Sequence, residues 1–165
     1  MSIGTVIADE DSFVLIDRKY QVITPEYTVG GMYENWLFPP DLPVVPCSRS
    51  QAINDLLQWF RAHDVQMVFA YNASFDRNHL PELRSFLWFD IMRLAAYRQF
   101  NPKIPDSAPL FSTGRMKRGY GVEAMLRILS GRSSYCETHN ALNDAIDELE
   151  IMRLLGYHPA DYIPL

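Results

Sequence analysis

The run VQMVFAY, residues 65–71, is continuous apolar sequence with polar residues on either side. That is what a strand buried in a parallel sheet looks like. Around it the chain alternates. SIGTVIA and SFVLIDRKYQVIT are β-rich runs separated by the polar DED, so they predict an antiparallel hairpin over residues 3–8 and 13–24. Ser48 or Ser50 is placed to cap a helix reaching about His63, with Ile53, Leu56, Leu57 and Phe60 on one face. After the apolar run, Ser74 is a candidate cap for a short helix limited by Pro81. FLWFDIMRLAAYRQF predicts a strand over 86–89 and a helix from about Asp90, and further helices are expected over GVEAMLRIL and residues 137–155. Two strands, then strands alternating with helices, make an α/β domain.

Two stretches resist regular structure. Residues 25–47 carry Pro25, Gly30, Gly31, Pro39, Pro40, Pro43 and Pro46, and residues 101–119 carry three further prolines before the basic GRMKRG. Both read as loops. A length of 165 residues suits one domain spanning 1–165. Hydrophobic residues are 48% of the chain, which argues against disorder, and the net charge of −5 argues against coating nucleic acid by charge alone. It leaves room for an enzyme whose carboxylates await metal ions. Cys47 and Cys136 have no metal-type spacing and read as free thiols of a reducing, cytoplasmic compartment. No run reaches the ~18 apolar residues of a membrane span, and the acidic N-terminus does not read as a signal peptide.

Three segments carry candidate chemistry. In YNASFDRNHL, Asn72 and Asp76 follow the predicted buried strand, where α/β proteins form ligand crevices. In WFDIMRLA, Asp90 stands at another strand end, where helix capping is the usual role. In HNALNDAIDELEIMRLL, His139 opens the last helix, Asp144 and Glu148 share a face, and Leu142, Ala145, Leu149, Met152 and Leu155 make the buried stripe. Each has a plainer reading beside it. Asp76 is also placed to cap, or to pair with Arg77 or Arg84; Asn72 to bond a loop; His139 and Asp144 to be solvated; Asp147 and Glu148 to form a solvated face. GRMKRGYG, 114–121, reads either as a solvated basic loop or as a phosphate contact with Tyr120 stacking on a base. Trp36, Trp59, Phe60, Trp88 and Phe89 read as core or core-edge packing.

Together these segments resemble the DEDDh branch of 3′–5′ exonucleases. Asn72-Ala73-Ser74-Phe75-Asp76 is similar to the family's N-x-x-F-D segment, His139-Asn140-Ala141-Leu142-Asn143-Asp144 to its H-x-A-L-x-D segment, and FDIMRLA to its D-T-x-R-L-A stretch. The resemblance covers essentially the whole chain. It implies an RNase H-like mixed sheet with flanking helices. It also implies Asp76 and Asp144 as ligands of Mg²⁺ or Mn²⁺, His139 as general base, and Asn72 and Phe75 as substrate contacts. The chemistry is two divalent cations about 4 Å apart holding the attacking and leaving oxygens of a phosphodiester. The implied partner is single-stranded or 3′-end nucleic acid.

The family's first motif, D-x-E on a central first strand, has no match here. The hairpin is similar to the family's second and third strands, so the central first strand is expected to be absent, with two of the four metal carboxylates. Asp9, Glu10 and Asp11 fall instead in the predicted hairpin turn. An uncovered strand costs about 1–3 kcal/mol per unpaired buried group. The expected remedies are direct pairing of the hairpin with 65–71, a second chain in a homodimer covering the edge, or a longer natural protein. The expectation is an impaired or inactive exonuclease-like domain; the alternative is a non-catalytic relative that binds nucleic acid or a protein partner.

Overall fold

The computed structural model describes residues 1–29 and 34–165; Gly30 and Gly31 of the predicted 25–47 loop lie outside the described residues. In chain order the elements are β1 (Ser2–Ala8), β2 (Leu15–Thr24), β3 (Cys47–Ser48), α1 (Arg49–Ala62), β4 (Met67–Ala70), α2 (Ala73–His79), β5 (Leu87–Asp90), α3 (Met92–Ala95), α4 (Val122–Ser130) and α5 (Ala141–Leu155). The chain is mixed α/β. It forms two compact units. The first comprises Met1–Asp9, Val14–Val65 and Thr138–Ile146; the second comprises Glu10–Phe13, Gln66–Glu137 and Asp147–Leu165. Among the described residues no helix is long and apolar enough to cross a membrane.

In the first unit, β1 and β2 form the expected antiparallel hairpin, with a register shift at Ile7/Ala8. The further ladder of β2 is a short parallel one to β3, and among the described residues the hairpin strands make no ladder with residues 67–70. Ser48 is the cap of α1. Its Oγ accepts the Gln51 N–H at 3.3 Å while Gln51 Oε1 accepts the Ser48 N–H at 3.0 Å, a reciprocal capping box. One helix face then buries Ala52, Ile53, Leu56 and Phe60. Val22 and Ile23 of β2 are also buried. Each large side chain buried this way contributes about 1.5–3 kcal/mol. A Cβ at Gly4 would overlap the backbone of Ala141, so only glycine lets β1 meet the start of α5 backbone to backbone. Trp36, expected in the core or at its edge, is exposed.

In the second unit, β4 and β5 pair in parallel, Met67 opposite Leu87 through Ala70 opposite Asp90. Phe69 and Phe89 stack across this ladder at 4.8 Å. The core around them includes Ile91, Met125, Leu126 and Ile151. Helix α2 starts at Ala73, earlier than Ser74 capping would allow. Asn72, in the left-handed region at φ 62°, makes the turn out of β4 without a side-chain cap. The helix ends at His79, before Pro81 opens a short 3-10 turn. Helix α3 is a single turn rather than the longer helix predicted from Asp90.

The last helix begins at Ala141, not 137. Asn140 Oδ1 accepts the N–H of Leu142 at 3.1 Å and of Asn143 at 3.4 Å, and so fixes the boundary. His139 is therefore not a helical residue; it sits outside, at φ 54°.

Candidate acidic site at the strand ends

The carboxyl ends of β4 and β5 are held together by one side chain. Asp90 is the last residue of β5 and is buried. Its Oδ1 accepts the Asn72 N–H at 2.9 Å and the Met92 N–H at 3.0 Å. It thus joins the turn after β4 to the start of α3, and acts as the cap expected of an Asp at such a junction.

Asp76 lies in the first turn of α2, near the positive end of the helix dipole. Burial pushes its carboxyl above the usual carboxylate range. Its own backbone N–H and His79 pull it back, and the Asp90 charge adds to the rise. Among the described residues it makes no ion pair with Arg77 or Arg84. A partly desolvated carboxylate with a second carboxylate in electrostatic reach is an environment that favours a cation. Phe75, one residue earlier, is exposed, and its ring lies 4.2 Å from that of His79.

Tyr71 completes this end of the second unit. Its hydroxyl donates to the Tyr120 carbonyl. Burial first, then the charges of Asp90 and Glu148, drives its phenol well above the ordinary range. Sequence reasoning does not mark Tyr71; its position as the last residue of the apolar run is the available signal. Asp147, read as solvated, is half-buried and accepts the Tyr135 hydroxyl, and burial raises its carboxyl.

His139 and Asp144 belong to the first unit, with Asn72, Phe75 and Asp76 in the second. His139 is exposed. Asp144 is half-buried in the first turn of α5, its N–H bonded to the Asn140 carbonyl at 2.8 Å. Its charge reaches Tyr20, whose phenol is raised chiefly by burial. Asn140 is buried, and its Nδ2 donates to the Trp36 carbonyl at 2.8 Å.

Among the described residues, no group of three or more His, Cys, Asp or Glu side chains gathers closely enough to hold a metal ion. Mg²⁺, however, keeps several waters and needs only one or two carboxylates from a protein. The Asp76 carboxylate has the hard oxygen donors and the desolvation for such a role. No family profile, curated protein or solved structure matches the chain.

Proposed function

We propose that this chain is a 3′–5′ exonuclease-like domain of the DEDDh type, with an RNase H-like fold, acting on the 3′ ends of single-stranded nucleic acid in the cytoplasm. The observation that carries the reading is Asp76. It is a partly buried carboxylate with no ion pair among the described residues, in the first turn of the helix that follows a parallel strand and within electrostatic reach of Asp90. Ligand sites of α/β proteins form at such strand ends. The N-x-x-F-D and H-x-A-L-x-D segments support the specific chemistry, and the free Cys47 and Cys136 suit a reducing compartment.

By the family resemblance Asp76 would be a ligand of Mg²⁺ or Mn²⁺, which supplies charge stabilisation at the phosphodiester when bound, and Asp144 is the other carboxylate matched by motif. His139, which is exposed, would take the proton of the attacking water. Asn72 and Phe75 would contact the terminal nucleotide. Only two of the four carboxylates used by the family are matched by motif, so turnover is expected to be slow. A second copy of the chain, pairing along an edge of β4, would extend the two-stranded sheet.

A second reading, a non-catalytic domain of the same fold that binds nucleic acid or a protein partner, is favoured by Asp90. Two backbone donors already engage its Oδ1, which is a structural use of the carboxylate. A 3′-labelled oligonucleotide with millimolar Mn²⁺ separates the two. Slow release of mononucleotides that disappears in Asp76→Asn supports the enzyme. Binding without release supports the second reading. Neither binding nor release overturns the enzyme and the nucleic-acid form of the second reading, leaving a protein partner.

A further inference from the structure

The loop Pro109–Tyr120 holds more positive charge than its surroundings neutralise. Arg115, Lys117 and Arg118 fall within four positions, and no acidic residue lies between Asp106 and Glu123. Those two flanking carboxylates are committed elsewhere, Asp106 to Arg98 at 2.7 Å and Glu123 to Arg127 at 2.8 Å. Among the described residues Arg115, Lys117 and Arg118 make no ion pair. Two of them crowd one ring: the Arg115 guanidinium lies 5.1 Å and the Lys117 ammonium 5.5 Å from the centre of Phe111. Arg115 also lies 5.6 Å from the Tyr120 ring. Phe111 remains 44% exposed.

The loop is fastened rather than loose. The Phe111 N–H donates to the Arg115 carbonyl at 2.8 Å, and the Lys117 N–H to that of Pro109 at 2.9 Å. The Met116 N–H donates to the Ala96 carbonyl at 2.9 Å, and the Met116 side chain is buried in the core. At its far end the Tyr120 carbonyl accepts the Tyr71 hydroxyl, beside the Asp90 end of the strand pair. Like charges held close without counter-charges favour an anion, and holding them in advance lowers the ordering cost of binding one.

We propose that Phe111, Arg115, Lys117, Arg118 and Tyr120 form a binding site for single-stranded polynucleotide, the cations on successive phosphates and the exposed Phe111 ring under a base. The choice of ligand rests on the nuclease reading; the site itself rests on the unpaired charges and the exposed ring. Positive charge along a backbone path combined with aromatic stacking is how single strands are held without sequence preference.

The test is fluorescence anisotropy of a labelled oligothymidylate in EDTA over a range of salt. EDTA removes any metal-dependent chemistry, so failure here leaves the nuclease reading standing, and loss of hydrolysis with binding intact leaves this site standing. The wild-type chain is expected to bind, more weakly as salt rises. The exposed pair Lys117→Gln and Arg118→Gln, made together, is expected to lower the salt slope by about 1.4, at about 0.7 for each phosphate no longer neutralised. Phe111→Leu is expected to weaken binding roughly five-fold or more, while an abasic strand of equal length is bound as by wild type. An unchanged salt slope in the double variant overturns the proposal. So does binding to phosphatidylserine vesicles that oligothymidylate does not displace, which would assign the surface to lipid.

Discussion

The Asp90 carboxylate accepts the Asn72 backbone N–H at 2.9 Å, tying the turn after β4 to the end of β5. The same oxygen takes the Met92 N–H at 3.0 Å, so one buried charge satisfies donors on two elements. Replacing Asp90 by Ala strands both donors and is expected to destabilise the chain by about 2–4 kcal/mol. Asp90→Asn keeps an acceptor oxygen and should cost about 1 kcal/mol. Urea unfolding followed by tryptophan fluorescence gives both values; equal costs would show that the charge, not the acceptor, does the joining.

Burial holds the Asp76 carboxyl above 3.8, its ordinary value. The folded chain therefore keeps this proton more tightly than the unfolded chain. At low pH both carry it and there is no penalty. As pH rises from 3.8 through the folded pKa, the folded state must bear a desolvated charge and loses stability. Asp76→Asn should thus melt higher than wild type at neutral pH, the gap closing toward the acid end. A gap independent of pH would remove the titration as its cause. A gain in stability joined to a loss of function is what a working carboxylate predicts.

His139 occupies the left-handed region at φ 54°, where a side chain costs roughly 1 kcal/mol and glycine costs little. His139→Gly is expected to raise stability by up to about that amount. If the imidazole takes the proton from water, the same variant loses Mn²⁺-dependent nucleotide release. His139→Gln, which keeps the strain, should lose release without the stability gain. Release that survives in both would retire His139 as the base.

The Tyr71 hydroxyl anchors the carbonyl of Tyr120. Tyr71→Phe deletes one hydrogen bond and is expected to cost about 0.5–1.5 kcal/mol. It also frees one end of the basic loop, so oligothymidylate binding should weaken with the salt slope unchanged, since every cation remains. A changed slope in this variant would mean that the anchor positions the charges themselves.

Elements with strong local signals are legible in the sequence. The serines at 48 and 50 and the apolar face of α1 tell its start to within two residues and its buried side, while the capping box that selects Ser48 shows only in the structure. The hairpin follows from β-rich runs around an acidic turn. What stays hidden is decided by backbone conformation or by distant partners. Nothing in the residue type of His139 announces a left-handed φ, so the sequence places the start of the last helix too early. Asp147 reads as solvated because its partner, Tyr135, precedes the helix and reaches it only through the fold. Asp90 reads correctly as a cap, but its second donor belongs to a different strand end, which only pairing of β4 with β5 creates. Ile151, fully buried, escapes the stripe drawn on α5 although it lies inside the helix.

The contact between Gly4 and Ala141 joins residues far apart in the sequence. Asn140 and Trp36 do the same over 104 positions. The surroundings of the β1–β2 hairpin therefore cannot close until residues 140 and 141 have been synthesised. Loop closure of this length is slow, because entropy is lost before any contact compensates it. Strand β1 is thus made well before the segment that packs on it at Gly4.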